Sequence, residues 1–317
     1  MAKKRSKSRS FRWWKTKLFL ALNVLLLISG GGWYLVQPPT RQAEVRMLLA
    51  NYAKRNRRIS LLDIARDIYT LYYSDSFVAT DFEGGENPVY AGTPVPAEVE
   101  GSVRVLHNRA YTVGYSDTLK NPVWVAYRLM DMPDDPKAGE RPASFETDRR
   151  TVARVEHRDY TGSGYDRGHL APNFGIARCH GREAQLETFL MSNIVPQAHA
   201  LNAGPWKDLE LREALNYTGR FQEVWIIAGP LFHGEREEMK SGVPIPNAFY
   251  KIQVDEHEGR LRVQAFIMPH DADEGSSSNT MLTTVDEVEK LSGLDFFPEL
   301  PDEVEAQLEA ASPSRPW

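Results

Sequence analysis

The stretch Tyr165-Asp166-Arg167-Gly168-His169-Leu170-Ala171-Pro172-Asn173 sets a carboxylate, a guanidinium, a glycine and an imidazole in four consecutive positions, Asp166 to His169. An imidazole with a pKa near neutral can take a proton from water at physiological pH. An adjacent arginine can hold a phosphate through a fork of donors. Glycine between them lets a bulky polyanionic backbone come close. Four residues arise by chance too often to carry a function alone.

A second stretch supplies the metal ligand that the first lacks. It runs Met191-Ser192-Asn193-Ile194-Val195-Pro196-Gln197, then Leu201-Asn202-Ala203-Gly204-Pro205-Trp206-Lys207-Asp208-Leu209-Glu210. Gly204-Pro205 reads as a helix start, since proline in the first position gives up only an N–H that has no partner anyway. Asn202 is then expected at or just before the helix N-terminus, with Glu210 some two turns along. A carboxamide oxygen suits a hard cation that keeps most of its waters, as Mg²⁺ does, and a carboxylate can hold those waters. The plain alternative for an asparagine in this place is a helix cap.

Around these stretches the composition is ordinary for a globular chain. A single cysteine, Cys179, excludes an intramolecular disulfide framework and a cysteine-based zinc site. The net charge of −5 conceals an asymmetry. Residues 1–17 hold eight lysines and arginines and no acid, leaving 30 bases against 43 acids, a net of −13, for the rest. An acidic body binds nucleic acid only through a local basic groove. Arg149, Arg150, Arg154, Arg158 and Arg178 could form one; alternatively they face solvent, paired with Glu146, Asp148, Glu156 and Asp159.

Leu18–Val36 is a mainly apolar run, broken by Asn23, Ser29 and Gly30-Gly31-Gly32, and long enough to cross a bilayer as a helix. Trp13, Trp14, Trp33 and Tyr34 lie near its ends, and the basic block before it puts the N-terminus in the cytoplasm and the body outside. This predicts a signal-anchor, with the catalytic part facing the periplasm of a bacterial inner membrane. The alternatives are a cleaved signal peptide, cut near Ser29-Gly30-Gly31 and leaving a secreted protein, or a mitochondrial presequence. Pro38-Pro39 ends the run. Residues 42–73 then read as two amphipathic helices, the second opened by a Ser60/Asp63 capping pattern. They would serve as a stalk, a flap, or an arm joining a homodimer. The expected organisation is a tail over 1–17, an anchor over 18–36, a helical stalk and linker over 37–101 and a catalytic domain over 102–317.

Within the body, Ala110–Tyr115 with Val123–Leu129, and Phe249–Val254 with Leu261–Met268, read as hairpins, and Val224–Ala228 as a short buried strand. Met132–Gly139 and Gly275–Ser278 read as loops. Helices are expected at 181–190, 205–217, 283–291 and 301–311. Strand pairs and helices mix without a βαβ rhythm, so the fold class is α+β.

The two stretches together resemble the DNA/RNA non-specific endonuclease family of sugar-non-specific nucleases. The likeness rests on Asp-Arg-Gly-His at 166–169, Ser-Asn-x-x-Pro-Gln at 192–197, Leu-Asn-x-Gly-x-Trp-x-x-Leu-Glu at 201–210 and Gly-Pro-Leu-Phe at 229–232. It implies a ββα-metal (His-Me finger) core with a central antiparallel sheet, in which a hairpin carrying the histidine packs on a helix carrying the metal ligand. It implies His169 as general base, Asn202 as the one direct protein ligand of Mg²⁺ (Mn²⁺ a substitute) and Glu210 as the residue orienting water on the metal. Arg167 is implied as a phosphate contact, Asn193 as an active-site hydrogen-bonding residue and Arg141 as a further substrate arginine. The substrates implied are DNA and RNA. One departure stands out: where family members carry another arginine, this chain has Ala214, with Arg212 or Lys207 as possible substitutes. Two rival functions remain, a non-catalytic binding descendant of the same fold and a phosphodiesterase for small substrates. Asp166 and the remaining histidines (His107, His157, His180, His199, His233, His257 and His270) read as structural or surface groups.

Overall fold

The computed structural model describes residues 8–53, 59–73, 77–132, 139–257 and 259–317. The expected loop at Met132–Gly139 therefore lies largely outside the described residues. The chain divides into two compact units, Met1–Ala53 and Lys54–Trp317.

The first unit holds two helices, Ser8–Leu35 and Pro39–Ala53. Pro38 and Pro39 separate them, and Pro39 takes the first position of the second helix, where its fixed φ suits the turn. Within the first, Trp13–Leu35 has a mean hydropathy of 1.8. Its 23 residues rise about 34 Å at ~1.5 Å each, enough for a hydrocarbon layer of ~30 Å. A membrane anchor and a signal sequence share this pattern.

The second unit is built on an eight-stranded antiparallel sheet. Its spatial order is Val78–Ala79, Arg260–Pro269, Ala248–His257, Glu223–Leu231, Asn121–Met130, Tyr111–Ser116 and Val103–His107. Leu282–Thr283 adds to Arg260–Pro269 beside the first of these. Both expected hairpins form, and the strand expected to stop at Ala228 runs on to Leu231. Alternation along that strand explains why the sheet is covered on both faces. Val224, Ile226 and Ala228 point into one apolar layer with Trp206, Leu209 and Tyr217. Trp225, Ile227 and Leu231 point into another with Val285, Val288 and Leu308.

Ala248–His257 obeys the same alternation, but after Phe249 its positions on the first face, Lys251, Gln253 and Asp255, are polar. Lys251 is fully buried, with Nζ 2.9 and 3.1 Å from the Glu213 carboxylate and 3.3 Å from Tyr127 Oη. A buried pair of this kind survives only because each charge is met by several partners. The helix Leu61–Tyr73 falls with the body. Its N-terminus carries the expected reciprocal cap, Ser60 N–H to Asp63 Oδ2 at 2.9 Å and Asp63 N–H to Ser60 Oγ at 3.1 Å. Its Asp67 forms a buried ion pair with Arg220 at 2.5 Å.

Candidate active site

A small second ribbon carries the site on the first face of the sheet. Asp166–His169 pairs antiparallel with Ile194–Gln197, in the register Asp166↔Gln197 to His169↔Ile194. The helix Asn173–Glu187 is inserted between the two arms. A Cβ at Gly168 would fall 2.2 Å from Gln197 Oε1, so only glycine fits beneath that buried side chain. Next comes the segment bearing Asn202. A short turn, His199–Leu201, precedes it, and Asn202 N–H donates to Ala198 O at 3.0 Å. The helical path breaks at Gly204, whose φ and ψ of −99° and −116° are not helical, and resumes at Pro205, a first position in which proline's missing N–H costs nothing. Asn202 therefore lies just ahead of the helix that carries Glu210. Gly204 is required there, since a Cβ would meet the Glu274 Cα and O at 2.6 Å.

The His169 ring is caged by Phe145 and Phe189, whose centroids lie 5.4 and 5.0 Å away. Burial, with the Arg141 charge adding to it, pushes the imidazole down to about 3. It is thus neutral throughout the physiological range. Nε2 is enclosed with no partner. Nδ1 makes no hydrogen bond among the described residues and is not enclosed, so it is the nitrogen free to meet a water. The ribbon is tied to the helix where Trp206 Nε1 donates to His169 O at 3.2 Å.

Asp166, which read as structural, has a more specific task. Its Oδ2 accepts from Asn202 Nδ2 at 2.9 Å and contacts His199 Nδ1 at 2.8 Å. With Nδ2 held this way, the planar carboxamide turns Oδ1 away from Asp166. Glu210 follows on the helix beyond Gly204, with Oε1 buried and unpartnered. Burial pushes this carboxyl up to about 7; Glu213 adds to the rise, while Lys251, a hydrogen bond from Trp206 and Arg141 oppose it. A buried carboxylate oxygen without a donor and a carboxamide oxygen turned from Asp166 are donors of the kind a hard hydrated cation takes. These residues fit Mg²⁺.

Of the arginines expected at the substrate, Arg141 stacks over Phe189 at 5.5 Å and makes no ion pair among the described residues. Its charge acts on both His169 and Glu210, which places all three in one neighbourhood. Arg167 lies 6.0 Å over Phe145 and 5.7 Å over Tyr160, with Nη2 donating to His157 O at 2.7 Å. Asn193 makes its hydrogen bonds to the backbone. It is fully buried, with Oδ1 accepting from Ala171 N–H at 2.8 Å and Nδ2 donating to Ala171 O and Thr188 O. Its amide is spent on fixing the backbone after His169 and has no group left for a substrate.

Much of the basic groove dissolves. Arg150 is chelated by Asp148, Arg158 pairs with Glu156 at 2.7 Å, and Arg178 is buried, donating to Ala214 O at 3.0 Å. Ala214 is itself buried, so no arginine fits there, and its suggested substitute Arg212 turns to Ser278 Oγ at 3.3 Å. Residues that sequence reading missed are Phe145 and Phe189, apolar groups with no motif to mark them, and His199, whose pairing with Asp166 spans the two stretches.

The model for DNA/RNA non-specific endonucleases matches residues 92–303. Human mitochondrial endonuclease G is 29% identical over 217 residues, 63% of this chain and 71% of its own length. A nuclease of Nostoc sp. is 30% identical over 232 residues, 68% of this chain and 81% of its own. The mitochondrial nuclease EXOG of Xenopus laevis is 30% identical over 207 residues, and the chain spans only 57% of its length. Among solved structures, EndoG in its complex with EndoGI superposes with a TM-score of 0.57 at 25% identity, covering 64% of this chain and 89% of that one.

Proposed function

The chain belongs to the DNA/RNA non-specific endonuclease family, and on that premise we propose that it is a metal-dependent endonuclease hydrolysing phosphodiester bonds of DNA and RNA with little sequence preference. The observation that carries this reading is the Asp166 bridge, which fixes the carboxamide of Asn202 to the strand that bears His169. His169 Nδ1 takes the proton from the attacking water, a contribution of roughly 10²–10⁴-fold. The ring begins as a weak base, because burial and Arg141 disfavour its charged form. A bound diester anion offsets both effects and raises its basicity as the proton arrives. Arg141 and Arg167 would supply the guanidinium contacts to the anion. Asn202 Oδ1 would hold Mg²⁺, with Mn²⁺ as a substitute, and Glu210 Oε1 would accept hydrogen bonds from the surrounding water. When bound, the cation supplies positive charge to the phosphate oxygens and to the departing 3′ oxygen.

Topology belongs to the same reading. Trp13–Leu35 would anchor the chain in the membrane, the basic tail on the cytoplasmic side and the body facing away from it. Such an orientation keeps a non-specific nuclease from its own genome. The test is nicking of supercoiled plasmid by the purified chain with Mg²⁺ and with EDTA. Cleavage with Mg²⁺ alone is expected. No metal-dependent cleavage at micromolar enzyme would favour a non-catalytic binding protein. A chromogenic diester that outcompetes duplex DNA would favour a small-substrate phosphodiesterase.

A further inference from the structure

The sheet face turned away from the catalytic helix carries a second concentration of charge that the nuclease chemistry does not use. Helices Val285–Ser292 and Asp302–Glu309 deliver Val285, Val288 and Leu308 to the core on that face, and the short strand Leu294–Asp295 lies between them in sequence. Five carboxylates gather there. One oxygen each from Asp286, Glu289 and Glu309 lie within 4.8 Å of one another, and the same holds for Asp295, Glu305 and Glu309. Glu309 belongs to both groups. It is only 8% exposed, and its Oε1 is buried with no hydrogen-bond partner. Glu289 spends one oxygen on the Phe296 N–H, at 2.7 Å, which leaves the other for the cluster. Among the described residues no lysine, arginine or histidine pairs with any of the five. Lys290, next in the chain to Glu289, pairs with Glu287 at 3.1 Å.

Asp286 and Asp295 are exposed and Glu289 and Glu305 half-buried, but Glu309 is a buried carboxylate without a counter-charge, and that cost is met either by sharing protons or by taking a cation. We propose that the acidic cluster centred on Glu309 is a binding site for a hard divalent cation, calcium foremost, which clips the helix Asp302–Glu309 to the helix Val285–Ser292 and the strand Leu294–Asp295. The donor set is all oxygen, which disfavours metals that prefer nitrogen or sulfur. The carboxylates come from three segments in no regular arrangement. Calcium tolerates that with mono- and bidentate carboxylates, whereas Mg²⁺ demands near-octahedral geometry and retains its waters. The cation would fasten a C-terminal helix that otherwise depends on the contacts of Leu308 and its neighbours. Burial, then the Glu289 and Glu305 charges and a hydrogen bond with Glu289, push Glu309 upward. Carboxylates ligate in their deprotonated form, so affinity strengthens as pH rises. None of this depends on the nuclease reading.

The test is thermal unfolding of the full-length chain in detergent, stripped with EDTA and titrated with Ca²⁺ at pH 6 and pH 8, with the stoichiometry measured by calorimetry. One calcium per chain is expected, raising Tm by about 5 °C or more at a hundredfold excess over Kd, with tighter binding at pH 8. The rise should vanish in Glu309→Gln and weaken in the exposed-ligand variant Asp295→Asn. It should persist in Asn202→Ala, which removes the catalytic ligand. Three results would overturn the site: no response in the natural chain with Glu309→Gln the more stable at pH 8, which is the signature of shared protons; an equal rise in Glu309→Gln; or, in Asn202→Ala, a rise with Mg²⁺ as large as that with Ca²⁺.

Discussion

Replacing Asp166 by alanine should weaken the metal without touching the chemistry, and the structure sets the size of the effect. Asp166 Oδ2 is the acceptor that orients the Asn202 carboxamide, at 2.9 Å, and it also holds His199 at 2.8 Å. A hydrogen bond to a charged acceptor contributes about 1.5–3 kcal/mol. The Asp166 side chain is 35% exposed, so water competes and the lower end applies. About 1.5 kcal/mol is close to a tenfold change in an equilibrium constant, and outer partners of metal ligands typically contribute about 10–100-fold. Without Asp166 the carboxamide is free to turn its Nδ2 toward the ion. The assay is a Mg²⁺ titration of plasmid nicking by the full-length chain. Half-saturating Mg²⁺ should rise about tenfold in Asp166→Ala, with the rate at saturating Mg²⁺ close to that of the natural chain. Asp166→Asn keeps an acceptor oxygen and should fall between the two. An unchanged titration would refute the orienting role. A lost maximal rate at an unchanged half-point would place Asp166 in the reaction itself.

The pH dependence follows from two opposite shifts. Glu210, raised to about 7, holds a proton below that pH which the cation must expel, so half-saturating Mg²⁺ should climb about tenfold per unit below pH 7 and level off above it. Titrations from pH 6 to 8 should lose that slope in Glu210→Gln. His169, pressed down to about 3, stays neutral in the free enzyme, so at saturating Mg²⁺ and plasmid well below KM no acid limb should appear near ~6.5, and one that persists there contradicts the cage. Asp67→Ala leaves the buried Arg220 unpaired, a loss of about 3–5 kcal/mol and roughly 10 °C in Tm; nicking in the cold should stay near normal, and an unchanged Tm would detach the helix Leu61–Tyr73 from the body. Gly204→Ala drives a Cβ into the Glu274 backbone, which should cost about 1–3 kcal/mol of stability and raise the Mg²⁺ requirement; a silent substitution would deny the close approach.

Runs with a clear period were legible before any coordinates. The hairpins Tyr111–Met130 and Ala248–Pro269 came within three residues of expectation at every strand end, because β-branched and aromatic runs bounded by turns leave few alternatives. Lys251, Gln253 and Asp255 defeat that logic, since three polar residues at alternate positions read as a solvent face. Here they are buried, and Lys251 and Gln253 both bond to Glu213 from a helix far away in sequence. The break at Gly204, with the helix resuming at Pro205, was readable from the Gly-Pro step, whereas the short turn His199–Leu201 ahead of it had no local signal. The site's polar members were readable from type and spacing. Its apolar walls, Phe145 and Phe189, and the sharing-out of arginines between substrate and neighbouring carboxylates depend on three-dimensional contacts.

The most direct test of the account is anomalous scattering from crystals of the chain grown with Mn²⁺. It predicts a peak about 2.1 Å from Asn202 Oδ1, with no other direct protein ligand and Glu210 reaching it only through water. A bound ion with its ligands elsewhere on this face, or Asn202 Oδ1 turned toward protein donors in the presence of metal, would contradict it.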